Sequence, residues 1–267
     1  MPLWWRQPRS HTGPVAEQAS RFPGTPSDQM PEILAIGRPD VVTIYQSLSG
    51  RHPRGLDEAY LRWHALDHEP EQHRLMTVWA SRRYVSTPAC RAARAVSDER
   101  YEAIDYVMTY LFGAPVDFDG WVALQQALRA AGRDVDRVPI LERGLYRVQG
   151  KVAAPGTTVG ADVLPRRPAT GIYLLIERGP TSAGPLVEVP GVAGVWWAVG
   201  EQTHPLFATT DNEGLQTTYC YLDDDPVEVA NRIRPVLDAR WASTDAVPLL
   251  AAPFYTVIPF DWARHLP

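Results

Sequence analysis

Three of the chain's seven histidines, His64, His68 and His73, fall between Tyr60 and His73, interleaved with Trp63, Asp67, Glu69, Pro70 and Glu71. Histidine exchanges its proton near neutral pH and is a common metal ligand, so this run is the first place to look for chemistry. In a helix, His64 and His68 stand four residues apart on one face. Glu69 precedes Pro70 and is pushed away from helical geometry, so the helix is expected to end near His68. A histidine at a helix C-terminus meets the negative end of the dipole, which raises its pKa and favours the acid form. Asp67 and Glu71 are then candidates to orient the imidazole, and Tyr84 or Arg83 to stabilise an enolate or phenolate oxygen. His73 lies beyond the break and is expected at the surface.

Two other readings compete for the same residues. His64, His68 and Glu71 would supply two imidazoles and a carboxylate, the set that non-haem iron uses. The His-Glu-x-x-His arrangement of zinc hydrolases is absent, and Pro70 is expected to turn Glu71 away from the shared face. Alternatively, the His-Asp-His-Glu run is a solvated helix end, with Arg82 and Arg83 pairing to nearby acids.

These residues must be positioned by an alternation of elements. Residues 40–47 read as a strand rich in β-branched side chains, 55–68 as a helix with Leu56, Tyr60, Trp63, His64 and Leu66 toward one side, and 76–85 as a second strand. Residues 101–112 alternate, placing Ile104, Tyr106, Met108, Tyr110 and Phe112 on one face. A helix capped by Asp119 carries Trp121, Leu124, Leu128 and Ala131, and stops at Gly132. Residues 143–152 close this set as a strand. After a Pro- and Gly-rich linker at 154–168, strands are expected at 171–177, 193–199, 215–222 and 249–258, with a helix at 226–241 that opens on Pro226 and should kink at Pro235. Residues 178–192 hold three prolines and three glycines, so the first helix of this half is degraded.

The pattern is an α+β fold: a ferredoxin-like β-α-β-β-α-β module at 39–153 and a second at 169–267, behind a proline-rich arm at 1–38 in which Trp4 and Trp5 could serve as anchors. Each antiparallel sheet has helices on one face only, so two copies in one chain are expected to cover each other's open faces as a barrel. Tyr106, Tyr110, Trp196, Trp197, Tyr219 and Tyr221 are candidates to line its interior, with ordinary core filling as the simpler alternative.

Composition removes several function classes. The net charge is −5, Lys151 is the only lysine, and the arginines are scattered among acids, so no patch suits a nucleic-acid backbone. Cys90 and Cys220 fit no zinc or redox spacing, and Cys220, between Tyr219 and Tyr221, reads as a buried structural thiol. No Gly-x-Ser-x-Gly elbow, Gly-x-Gly-x-x-Gly turn or P-loop is present, which argues against a serine nucleophile and against NAD or ATP. The N-terminus lacks the apolar core of a signal peptide, and residues 247–258 are too short an apolar run to span a bilayer; a cytoplasmic protein with no membrane partner is expected.

From Tyr60 to Val85 the chain resembles the EthD family of the dimeric α+β barrel superfamily. The resemblance rests on Trp63 before the helix end, on His68-Glu69-Pro70 as the family's His-x-Pro, and on Arg83-Tyr84-Val85 opening the next strand. Here two modules are fused, where the family commonly pairs separate chains. The resemblance implies a barrel pocket for a small hydrophobic or aromatic, polyketide-like substrate, and acid–base catalysis as a cyclase, dehydratase or isomerase without metal or organic cofactor. His68 alone matches the family's proton-transfer position. Catalysis is thus expected from His68 with His64, Tyr84 and Arg83, and substrate contacts from Trp63, Tyr106, Tyr110 and Trp197; a homodimer is also compatible. A non-catalytic carrier is the alternative. Haem binding is a further one, since fused modules occur in the chlorite dismutase-like branch, where a second-module histidine ligates iron; here only His204 and His265 lie in that half.

Overall fold

Strand-forming β-branched and aromatic runs set the architecture. The computed structural model describes residues 40–266 except Pro180, Thr203, Ala208, Thr209 and the side chain of His265; the expected arm, with Trp4 and Trp5, lies outside the described residues. The strands are β1 (Thr43–Ser49), β2 (Val78–Val85), β3 (Val96–Ser97), β4 (Tyr106–Phe112) and β5 (Ile140–Ala153), then β6 (Gly171–Arg178), β7 (Val192–Glu201), β8 (Leu215–Leu222) and β9 (Val247–Thr256).

Leaving aside the two-residue β3, the strands fall into two sets with the same antiparallel order, β2-β4-β1-β5 and β7-β8-β6-β9. Each is the ferredoxin-like arrangement. β5 of the first set pairs with β7 of the second, and β9 pairs back to β2, so the eight strands close into one barrel. In the second set the place of the first helix holds, among the described residues, only a short 3₁₀ turn, Gly184–Glu188, as its prolines and glycines require.

Alternation along the strands sorts side chains into an interior and a helix-covered exterior. Ile44, Tyr84, Leu111, Tyr146, Leu174, Trp196, Tyr219 and Phe254 belong to one buried core drawn from all eight strands. Within it, the Tyr219 and Thr217 hydroxyls donate to Gln46 Oε1, the latter at 3.0 Å. The interior is therefore a packed core rather than the barrel pocket that was expected. Tyr106 and Tyr110 do not line it: with Tyr45, Met108 and Phe112 they face outward into clusters under the helices. Trp196 and Trp197 part ways for the same reason, Trp197 facing outward onto the second module's helix-side cluster.

The helices complete those outer layers. α1 (Asp57–Trp63) runs through a π turn at His64–His68 into α2 (Glu69–Gln72); α3 is Pro88–Ala92, α4 Asp117–Ala130 and α5 Pro226–Ala242. The helix thus continues past His68, contrary to expectation. Pro70 has no N–H to give to residue 66 and its ring would crowd that carbonyl, and the wider turn absorbs the conflict, with the Glu69 N–H bonding His64 O. The turn also moves the buried stripe, which is Tyr60, Leu61, His64, His68 and Gln72, while Leu56 and Leu66 are exposed. α4 starts without a side-chain cap: Asp117 accepts from the Ala114 N–H at 2.9 Å, and Asp119 lies in the first turn. α5 is capped as Pro226 at its first position suggests, Asp225 Oδ1 accepting from Val227 and Glu228. Cys90 and Cys220 are both buried and free.

Candidate functional site

The two seams between the modules are unequal, and the difference makes room. β5 and β7 pair from Leu145–Glu201 to Ala153–Gly194. β2 and β9 pair only at Tyr84–Thr256 and Val85–Tyr255, after which the strands separate. The gap is a cavity of about 630 Å3, a size typical of small-molecule sites, between the second half of β2, the α1–π turn, residues 165–170 and the chain after β9. Leu61, Ala65, Tyr84, Tyr221 and Val257 give it apolar walls, and His64, Glu69, Arg82, Arg83 and Arg264 its polar ones.

His64 is buried under the helix, with Nε2 3.1 Å from Met108 Sδ and 3.4 Å from the Tyr110 hydroxyl. Its Nδ1 has no hydrogen-bond partner but looks toward Glu69 Oε2 at 3.8 Å. Burial, helped by the charges of Arg83, His68 and Arg137, holds its pKa well below the ordinary value, so the imidazole is neutral. The other Glu69 oxygen accepts from Ser81 Oγ, which meets His73 Nε2 at 2.7 Å. Carboxylate, hydroxyl and imidazole thus form a chain from the cavity wall to an exposed histidine. His73 is at the surface as expected, but it is not detached from the site.

Arg83 is 6% exposed. Its guanidinium lies 4.9 Å from the Tyr60 ring centroid, Nη2 donates to the Tyr60 hydroxyl at 3.2 Å, and Nε is without an acceptor. Among the described residues no carboxylate lies within 4 Å of it. Arg82 likewise donates only to main-chain carbonyls, those of Ser81 and Arg166.

The other expected site residues are distributed differently. His68 does not reach the main cavity; it borders a void of about 40 Å3 with Tyr45, Trp63, Trp121 and Arg137. It is stacked on Trp63 at 4.7 Å, and burial, with Arg137 and Arg83 nearby, pushes its pKa down to about 4. The expected upward shift fails because no helix C-terminus exists there. Asp67 and Glu71 do not orient it: they accept from Arg133 at 2.9 and 3.1 Å, which also removes Glu71 from any metal set with His64 and His68. Among the described residues no three His, Cys, Asp or Glu side chains gather as a metal-binding group. Tyr84 lines the cavity from the barrel side, and burial raises its pKa. Trp63 stays at the small void, Tyr106 gives its hydroxyl to Asp57 at 2.6 Å, and Trp197 covers Gly150. Tyr110 reaches the site only through His64. Sequence reasoning missed the role of Glu69, whose only signal was the Pro that follows it.

The helix-covered face of the second module is packed among the described residues. Tyr173, Leu175, Cys220, Val229, Ile233 and Leu237 fill its helix-covered face, and His204 is bound to Asp119 Oδ1 at 3.0 Å. The side chain of His265 lies outside the described residues.

A candidate chlorite dismutase superposes over 85% of this chain and 100% of its own, with a TM-score of 0.50 at 10% identity. This is the dimeric α+β barrel fold, closed within one chain. A dye-decolorizing protein from V. cholerae (TM-score 0.43, 10% identity, 87% and 98% covered) and an anthrone oxidase-like protein (0.42, 12%, 82% and 92%) are more distantly similar. No protein-family model matches the sequence, and no curated protein does. At these identities the likeness is one of fold. No helix among the described residues is long and apolar enough to cross a membrane.

Proposed function

We propose that this chain is an EthD-like, cofactor-independent acid–base enzyme acting on a small, oxygen-bearing substrate with an apolar ring body, as an isomerase, cyclase or dehydratase. One observation carries the reading: a neutral imidazole beside a carboxylate, His64 and Glu69, shares a cavity wall with Arg83, a buried guanidinium without an anionic partner among the described residues. The substrate's C–H next to a carbonyl loses its proton to the His64–Glu69 pair, its electrons move onto the carbonyl oxygen, and the positive charge of the Arg83 guanidinium stabilises the enolate so formed. The same pair returns the proton, to a different carbon for isomerisation or to a departing hydroxyl for dehydration. Ser81 holds Glu69 and connects it to His73, a route by which the proton exchanges with solvent.

The test is isotope exchange. With β-tetralone in heavy water, proton NMR should show loss of the α-proton signal faster than in buffer. His64→Gln and Glu69→Gln should each cut that acceleration by about 100-fold or more. Exchange in the native protein at the buffer rate would overturn the reading and leave a carrier.

A further inference from the structure

We propose that the ligand of the seam cavity carries a carboxylate that Arg83 binds, so that the natural substrate class is that of aromatic or alicyclic ring acids. This rests on the reading of the cavity as the functional site, and adds the charge of its ligand.

Charge within the cavity is out of balance. Its acids are already committed. Asp225 caps α5 with one oxygen and accepts the Tyr255 hydroxyl with the other at 2.6 Å. Glu69 is held by Ser81. Among its cations, Arg167 is neutralised by Asp223, to which its Nη2 donates at 3.0 Å. Arg82 and Arg83, consecutive on β2, and Arg264, exposed in the chain after β9, are left with no carboxylate within 4 Å among the described residues.

Arg83, the buried one of the three, is the telling one. A guanidinium taken out of water is costly unless an anion and good hydrogen bonds compensate it. Tyr60 supplies a ring face and a hydroxyl oxygen, both weaker than a carboxylate, and Nε–H has no acceptor at all. A planar fork of donors with an idle N–H, opening on a cavity, fits a planar anion. The remaining walls, Leu61, Ala65, Tyr84, Tyr221 and Val257, offer apolar and aromatic surface, which suits a ring body. At about 630 Å3, the space takes an acid of one to three rings.

Calorimetric titration with naphthoate and with its uncharged twin, naphthamide, decides the matter in the full chain. Neither probe has an acidic C–H, so binding is read apart from turnover. Naphthoate should bind at least about tenfold more tightly than the amide, as a charge-assisted bond at a desolvated site requires. Arg83→Gln should remove that preference, and Arg83→Lys should restore part of it. Should Arg83→Gln fail to fold, Arg83→Lys still tests the idea: a reduced naphthoate preference supports it and an undiminished one overturns it. Equal binding of acid and amide by the native protein would overturn it, as would an undiminished preference in folded Arg83→Gln. Exchange on the neutral β-tetralone can succeed or fail independently of either result.

Discussion

Glu69 Oε2 lies 3.8 Å from His64 Nδ1, five residues away along one helix. At 3.6 residues per turn, side chains five apart point about 140° from one another. The π turn at His64–His68 brings them together, and Pro70 is the physical cause of that turn. A residue expected to end the helix instead assembles the site.

Pro70→Ala should therefore separate structure from activity. With an N–H restored at position 70, the ordinary i to i−4 ladder becomes available and Glu69 rotates away from His64. The melting temperature should hold or rise, while β-tetralone exchange falls by about tenfold or more. A variant that keeps full exchange would show that the π turn is not what positions the pair.

His68→Gln should leave exchange within a few-fold of the native rate, because His68 does not line the main cavity. It should lower stability by roughly 1–3 kcal/mol, through the lost stack on Trp63 and a polar amide in a buried place. Chemical denaturation and NMR exchange on the same sample read both.

Acid should destabilise the fold earlier than its carboxylates alone would require. Both imidazoles are buried and neutral when folded, with the His68 pKa near 4 and that of His64 also depressed, whereas the unfolded chain takes up these protons near 6.5. Their contribution is fully present above about pH 6.5 and is lost as pH falls through the folded pKa values. His68 accounts for about 3 kcal/mol of that loss. Replacing it with Gln should flatten the dependence of the denaturation midpoint between pH 6.5 and 4. By the same logic, exchange activity should persist below pH 6.5 for as long as the fold does.

Ser81→Ala interrupts the connection from Glu69 to His73. Exchange should drop by about tenfold in dilute buffer and recover as imidazole is added, since a small base replaces the lost relay. A loss that no buffer restores would reduce Ser81 to a structural support.

The alternation of β-branched and aromatic residues, the helical stripes and the Pro/Gly punctuation made two ferredoxin-like modules legible from the sequence, down to the missing first helix of the second. These are local properties, because strand period, helix period and backbone permissiveness belong to single residues and their near neighbours. The sequence also marked the stretch that carries His64, Glu69 and Arg83. What it could not show was which side of each strand faces the other module. Tyr106 and Tyr110 alternate correctly, yet their face is covered by helices, because the opposite face closes the barrel. Nor could it show that Pro70 would be absorbed rather than end the helix, an outcome that seats His64 against Met108 and Tyr110 of β4 and His68 against Trp121 of α4. The cavity itself exists because β2 and β9 pair over two residues while β5 and β7 pair along their length, a non-local inequality between strands far apart in the chain. Residue types supplied the imidazole, the carboxylate and the guanidinium; only closure of the barrel decided that they share a wall.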